Sequence, residues 1–330
     1  MKPHTLLRLI PRLKRAKVLV VGDCILDEFV WGSVSRISPE APVPIVAVER
    51  ESAMPGGAAN VAYNVRALGG QVVVSGITGD DLNGRRLREE LRKRHVNLRG
   101  LVADARRPTT IKTRVVAHHQ QVVRIDREQT DRLPPPLLRR FIQHTLRLVE
   151  QVDAVIIEDY GKGVIAPSLL EALVQRARKR KRIITVDPKE GHFAYYTGVT
   201  AITPNRAEAA AAAGVPITNQ TSVHAAGQTL LRRLSCEAVL VTLGEEGMAL
   251  FRPERAPVHV PTVAQEVFDV AGAGDTVIAA FTLALAAGAD FVTAAHLANF
   301  AAGIVVGKLG TAVASPVELV ERIRHHHAQR

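Results

Sequence analysis

The sequence predicts an α/β fold: a mainly parallel central sheet flanked by helices, with a small β lid. Short unbroken apolar runs, helical stretches between them, and two segments that interrupt the alternation predict it. A strand buried on both faces reads as a continuous apolar run, because neither side meets water. Lys17–Gly22 (KVLVVG) is the first such run and ends in glycine. Others lie at 71–75 (QVVVS), Ala154–Glu158 (AVIIE), 182–187 (RIITVD), 199–203 (VTAIT) and Ala238–Thr242 (AVLVT). Pro134-Pro135-Pro136 opens a helix to about 151 and Pro167 another to about 180, since the first turn tolerates a missing N–H. The alanine run 209–213, the best helix former, stops at Gly214. Two further helices are expected at about 272–287 and 290–308. The interruptions are 28–54, with Pro39, Pro42, Pro44 and a short strand at 44–49, and 108–127. The second holds two β-like pieces, 109–117 and 121–126, separated by His118-His119-Gln120. A lid over the active edge and an ordinary peripheral hairpin both fit this pattern. No repeat or low-complexity linker divides the chain, so residues 1–330 are expected to form one domain.

Composition removes several classes of function. At 330 residues, 47% hydrophobic and 23% charged, the chain is globular in type. No apolar run reaches the roughly 18–20 residues of a bilayer span, and MKPHTLLRLIPRLKR is too charged for a signal peptide. Cys24 and Cys236 are too few and too far apart for a disulfide framework, which fits reduced thiols in a cytoplasmic protein. The net charge of +11 raises nucleic acid, an anionic membrane or phosphorylated small molecules as partners. The basic clusters at 85–94 and 176–182 carry no interleaved aromatics for base stacking. They read as a solvated helix face and a helix end, so no nucleic-acid partner and no membrane is expected. The histidines form no HExxH pair, and His325-His326-His327 reads as a tail, which leaves no structural zinc.

Chemistry concentrates at a few strand ends and helix starts. Asp269-Val270-Ala271-Gly272-Ala273-Gly274-Asp275-Thr276 precedes an alanine-rich helix. Small residues there expose backbone N–H groups to an anion such as a phosphoryl group. Asp275 beside that cradle is placed to accept a hydroxyl proton. A tight loop with a dipole-complementing acid is the competing reading. Pro55-Gly56-Gly57-Ala58-Ala59-Asn60 permits close backbone approach, and Asn60 can donate to and accept from hydroxyls. Tight packing of a helix start explains the same residues. Asp23 and Asp27, four residues apart at a strand end, suit a polyol or a solvated turn. Asn205 and Glu208 in TPNRAE (203–208) suit a phosphate or its metal. Thr242, Gly244 and Gly247 suit a nucleotide, and turn or cap roles compete at each of these positions. Neither GxxxxGK[ST] nor GxGxxG after the first strand occurs, so the P-loop and dinucleotide readings fall.

In this order the segments resemble the ribokinase/PfkB family of carbohydrate kinases, from Val18 to about Ser315. PGGAANVAYNVRALGG (55–70) is similar to the family's first signature and DVAGAGDTVIAAF (269–281) to its second. GDCILDEFVWG (22–32), SRISPEAPVPI (35–45), DYGKGV (159–164), VDPK (186–189), TPNRAE and TLGEEGM (242–248) resemble the branch acting on a heptose 7-phosphate. The resemblance implies a ribokinase-like fold that uses ATP and Mg²⁺, with K⁺ as a monovalent ion. The reaction implied is phosphorylation of D-glycero-β-D-manno-heptose 7-phosphate at its anomeric hydroxyl, giving the 1,7-bisphosphate of ADP-heptose biosynthesis.

Site residues follow from the same resemblance. Asp275 would be the base, with the N–H groups of Ala271, Gly272, Ala273 and Gly274 stabilising the transferring charge. Asp23, Asp27, Gly56, Gly57 and Asn60 would hold the sugar. Asn205, Glu208, Thr242, Gly244, Gly247, Ala271 and Asn299 would lie along the nucleotide, and Glu208 and Asp269 at the metal. Arg36, Lys112, Lys162 and Lys189 are the candidates for the 7-phosphate. Lid strands at 28–54 and 108–127 would pair two subunits into a homodimer. This branch is often fused to a nucleotidyltransferase, for which 330 residues leave no room, so a stand-alone form is expected. Two departures are mild: Ala271 stands where threonine is usual, and Cys24-Ile25 where Val-Met is. Two rivals remain. SRISPEAPVP argues against a family kinase of another sugar or nucleoside, and Asp275 with its intact loop argues against a non-catalytic regulator.

Overall fold

The apolar runs become the middle of one sheet, and the two interruptions become another. The computed structural model describes residues 3–118, 120–264, 267–308, 310 and 312–328. The first half of the chain forms α1 (Pro3–Leu13), β1 (Lys17–Gly22), β2 (Cys24–Ile37), β3 (Pro44–Gly57), α2 (Ala58–Ala67), β4 (Gln71–Gly79), α3 (Leu82–Lys93), β5 (Asn97–Asp104), β6 (Thr110–Ala117) and β7 (Gln120–Arg127). There follow α4 (Pro135–Val149), β8 (Ala154–Glu158), α5 (Pro167–Lys179), β9 (Ile183–Asp187), β10 (Ala201–Ile202), α6 (Arg206–Ala213) and α7 (Gln220–Leu234). The chain ends with β11 (Ala238–Thr242), β12 (Met248–Phe251), β13 (Val258–Val260), α8 (Ala273–Ala286), α9 (Phe291–Val305) and α10 (Pro316–Ala328).

The large sheet runs β13-β12-β11-β10-β9-β8-β1-β4-β5, and only the pairings of β12 with β11 and β13, at one edge, are antiparallel. Successive β1 residues serve opposite faces, as a strand's period of two requires. Val18 and Val20 join the core under α1, α2, α8, α9 and α10, while Leu19 and Val21 join the core under α4, α5 and α7. The chain passes from β1 to β4 on one side and β8 on the other, which makes the carboxyl end of β1 a topological switch point. Glu158, Asp159, Tyr160 and Asp187 stand at the carboxyl ends of β8 and β9.

The second sheet runs β3-β2-β6-β7 and rises from β1 after a single residue, Asp23. Parallel pairing of β2 with β6 joins the two interrupting segments into one lid, so neither is a separate peripheral hairpin. The strand expected at 44–49 extends to fourteen residues in β3, and the run at 199–203 shrinks to the two residues of β10. Of the separating residues His118-His119-Gln120, Gln120 belongs to β7 and His119 lies outside the described residues. The N-terminal segment is an amphipathic helix with Leu6, Leu9, Ile10 and Leu13 buried at helical spacing. The histidine run is not a loose tail: it closes α10, and His326 stacks edge-on against Phe300 at 5.5 Å. Both cysteines are free and buried. Among the described residues no helix is long and apolar enough to cross a membrane.

Candidate active site

Gly272 adopts a left-handed conformation (φ 77) that a side chain rarely tolerates, and this turns the loop into the start of α8. Asp275 sits in the first turn and is only 6% exposed. Asn60 of α2 donates Nδ2 to its Oδ2 at 2.6 Å, and the Tyr160 hydroxyl, just past β8, donates to its Oδ1 at 3.2 Å. A second bridge holds the two helices in register. The Thr276 hydroxyl donates to Asn64 Oδ1 at 2.8 Å, and Asn64 donates to the Asn60 carbonyl at 3.0 Å. Burial pushes the Asp275 carboxyl up, the bonds from Asn60 and Tyr160 pull it back, and the charge of Asp27 adds to the rise. The outcome is a pKa of about 6, near the range where a general base works best at neutral pH.

Asp27, in β2, is 6% exposed and close enough for its charge to act on the Asp275 carboxyl. Arg114 of β6 donates to its Oδ1 at 2.5 Å and lies over Phe29. A Cβ at Gly56 would strike Asp27 Oδ2, so the glycine lets strand β3 close against that carboxylate. Gly57, at φ 54, caps α2 in a conformation that again favours glycine. Asn60 is therefore a hydrogen-bond partner of Asp275 as well as a candidate sugar contact. Asp23 departs from expectation. Its carboxylate accepts the backbone N–H groups of Tyr160 and Lys162 at 3.0 Å and of Val164 at 3.2 Å, so it shapes the 160–164 loop instead of offering both oxygens to a polyol.

Thr242, Gly244, Gly247 and Asn299 line one cavity of about 610 Å³ together with Ala273 and Gly274. Met248, Val267, Val277 and Val306 give it apolar walls. Asn299 donates its amide to the Pro261 carbonyl at 2.7 Å and so braces the wall. Asn205 caps α6 in a capping box with Glu208, whose carboxylate accepts the Asn205 N–H at 2.9 Å. A parallel bridge sets Asn205 beside Thr242, at the cavity's edge. The expected anion cradle is narrower than the sequence suggested. Ala271 N–H donates to Asp269 Oδ1 at 2.9 Å and Ala273 N–H to the Val270 carbonyl at 3.2 Å. Gly274 and Asp275 carry the amides that a helix start leaves without an intrahelical carbonyl.

The metal expectation also needs correction. Asp269 is spent on the loop, its Oδ2 accepting the Gly310 N–H at 3.2 Å. The carboxylates that converge are Glu158, Asp187 and Asp275, with one oxygen of each within 4.8 Å of the others. Glu208 stands nearby and its charge acts on Asp187. Burial first holds Glu158 and Asp187 well above the usual carboxylate range, and the charges of Asp187 and Asp275 add to the rise at Glu158 as those of Glu208 and Asp275 do at Asp187. Glu158 Oε2 is buried with no hydrogen-bond partner among the described residues. Such an excess of buried negative charge fits a divalent cation.

Of the four candidate phosphate ligands, Arg36 is exposed on β2 nine residues beyond Asp27, up to about 30 Å along the strand. The structure does not bring it to this cleft. Lys112 and Lys162 flank the cleft and are ion-paired. Lys189 packs its chain along Gly161 and lends its charge to Glu208. The residues missed by inspection of the sequence are Tyr160, Glu158, Asp187 and Arg114. The first three share one signal, a position at the carboxyl end of a parallel strand.

The pfkB family carbohydrate kinase profile matches residues 15–318. The chain belongs to that family. It is 45% identical over 94% of its length to the bifunctional protein HldE of Geobacter sulfurreducens, and 45% identical over 96% to that of Pelobacter propionicus. It spans 64% and 65% of those relatives' own length. A ribokinase of Arabidopsis thaliana complexed with ribose and ATP has a TM-score of 0.77 at 20% identity, over 94% of this chain and 99% of its own. Phosphofructokinase-2 of Escherichia coli, in complex with potassium, has a TM-score of 0.79 at 19% identity, over 94% and 98%. These two likenesses concern the fold, which is ribokinase-like.

Proposed function

We propose that this carbohydrate kinase transfers the γ-phosphoryl group of ATP to the anomeric hydroxyl of D-glycero-β-D-manno-heptose 7-phosphate. The product is the 1,7-bisphosphate used in ADP-heptose biosynthesis. The observation that carries the reading is Asp275, a buried base pinned by Asn60 and Tyr160 between Asp27 and the apolar cavity. Asp27 and the backbone at Gly56 hold the sugar, and Asp275 takes the proton of the attacking hydroxyl as the bond to phosphorus forms. The amides of Gly274 and Asp275 face the charge on the transferring group, which is where electrostatic stabilisation counts most. Glu158, Asp187 and, from beside them, Glu208 would hold Mg²⁺, which would supply positive charge against the phosphates. The cavity walls and Thr242, Gly244 and Gly247 take the nucleotide. A bound K⁺, a homodimer formed through the lid and a cytoplasmic location complete the proposal.

SRISPEAPVP at the lid tip and the likeness to the HldE proteins support the heptose phosphate over other sugars. The test is ADP release from Mg²⁺-ATP with D-glycero-D-manno-heptose 7-phosphate, fructose 6-phosphate, ribose and adenosine. Turnover of the heptose phosphate alone is expected. Turnover of another member keeps the kinase and discards the heptose. Silence from folded protein favours a non-catalytic binder.

A further inference from the structure

Two half-buried lysines beside the sugar cleft share a carboxylate that the reaction does not use. Lys162 follows Tyr160 by two residues, and Lys112 is the register partner of Asp27 across the β2–β6 pair. Side chains on neighbouring strands at one register position share a face, so Lys112 projects to the side that Asp27 serves. Lys162 Nζ lies 2.6 Å from Glu128 Oε1, and Lys112 Nζ lies 3.5 Å from Glu128 Oε2 and 2.9 Å from Asp126 Oδ2. The lysine side chains are 16% and 12% exposed and that of Glu128 22%, so these pairs are far less hydrated than surface ones.

Hydrogen bonds brace the backbone around the cluster. Arg107 is 8% exposed and donates to the carbonyls of Gln129, Asp131 and Lys162, tying the segment after β7 to the 160–164 loop. Asp23 holds the Lys162 N–H from the other side. Glu128 itself belongs to no strand or helix, and its Oε2 has no hydrogen-bond partner among the described residues. The lysines are thus fixed at their roots, while the carboxylate between them is the replaceable member.

We propose that Glu128 is an internal stand-in for the distal phosphate of the substrate. It latches lid to body through Lys112 and Lys162 in the free enzyme and yields both lysines to the phosphate on binding. This rests on the sugar-phosphate reading above. A dianion carries more charge and more acceptor oxygens than one carboxylate, so exchange favours it. An unphosphorylated sugar has nothing to exchange and leaves the latch closed, which makes the cluster a determinant of specificity.

The experiment measures KM for D-glycero-D-manno-heptose 7-phosphate and for ATP in wild type, Glu128→Gln, Lys162→Met and Lys112→Met. Thermal stabilisation by inorganic phosphate is followed in the same proteins. Lys162→Met and Lys112→Met should each raise the sugar-phosphate KM by about 10- to 100-fold, the scale of a lost hydrogen bond to a charged group, and leave the ATP KM in place. Glu128→Gln should lower it several-fold and strengthen stabilisation by phosphate, which Lys162→Met should abolish. A higher sugar-phosphate KM in Glu128→Gln, or equal shifts for ATP and sugar phosphate in the lysine variants, overturns the latch. If wild type turns over no sugar phosphate but phosphate stabilises it in the expected order, the latch stands and the substrate reading fails.

Discussion

Replacing Asp275 by asparagine separates activity from stability, and the structure sets the size of both effects. Asparagine keeps the shape and can still accept one bond, from Asn60 or Tyr160, but cannot take a proton. Loss of a general base costs about 10²- to 10⁴-fold in kcat, or roughly 3–5 kcal/mol of barrier. Folding responds in the opposite sense. Burial raises the carboxyl from its ordinary 3.8 to about 6, so above pH 6 the folded protein holds an ionised group it would rather protonate. At 1.36 kcal/mol for each tenfold change this costs about 3 kcal/mol. The cost is absent below about pH 4, where both states are protonated, and fully present above pH 6. The asparagine variant, without metal, should therefore melt no lower than wild type at pH 7.5 and lose that advantage towards pH 4. ADP release and thermal melting across pH measure the two effects. Turnover within tenfold of wild type removes Asp275 as the base. A melting point lower by several degrees at pH 7.5 refutes the burial penalty.

Other consequences are direct. With Asp275 of the free enzyme titrating at about 6, kcat/KM for the sugar phosphate should fall tenfold per pH unit below that point, as the base acquires its proton. A flat profile down to pH 5 contradicts this. Gly56→Ala puts a methyl group against Asp27 Oδ2 and should raise the sugar KM by about tenfold or more while sparing the ATP KM, because overpacking costs about 1–3 kcal/mol. Equal effects on both constants would remove that glycine from the sugar side. Pairing of lids should give a dimer mass by light scattering at micromolar protein, and a monomer mass there excludes it.

Ala154–Glu158 and Ala238–Thr242 were readable to the residue because burial on both faces leaves an unbroken apolar run. The lid was legible only as an interruption. Its β2–β6 pairing joins residues more than eighty apart, and periodicity does not register contact across such distances. Asp275, Asn60 and Asp27 could be picked out because they stand in glycine-rich or strand-end settings. The task of Asp23 was hidden, since its partners are backbone N–H groups 137 to 141 residues away. Glu158 looked like the last residue of a strand, and only the fold shows that β8 and β9 end beside α8 with Asp187 and Asp275 at hand. The lysines could be nominated for a phosphate but not ranked, because their pairing with Glu128 is a property of the folded cleft.

The central claim is that a phosphoryl group moves to the anomeric oxygen of a sugar that already carries one. Phosphorus NMR of the product formed from D-glycero-D-manno-heptose 7-phosphate and Mg²⁺-ATP tests it most directly. The account predicts a new phosphate resonance coupled to the anomeric proton, with the original 7-phosphate signal retained and ADP in equal amount. ADP formed with the new phosphate on any other carbon, or no new sugar-phosphate signal from folded protein, contradicts it.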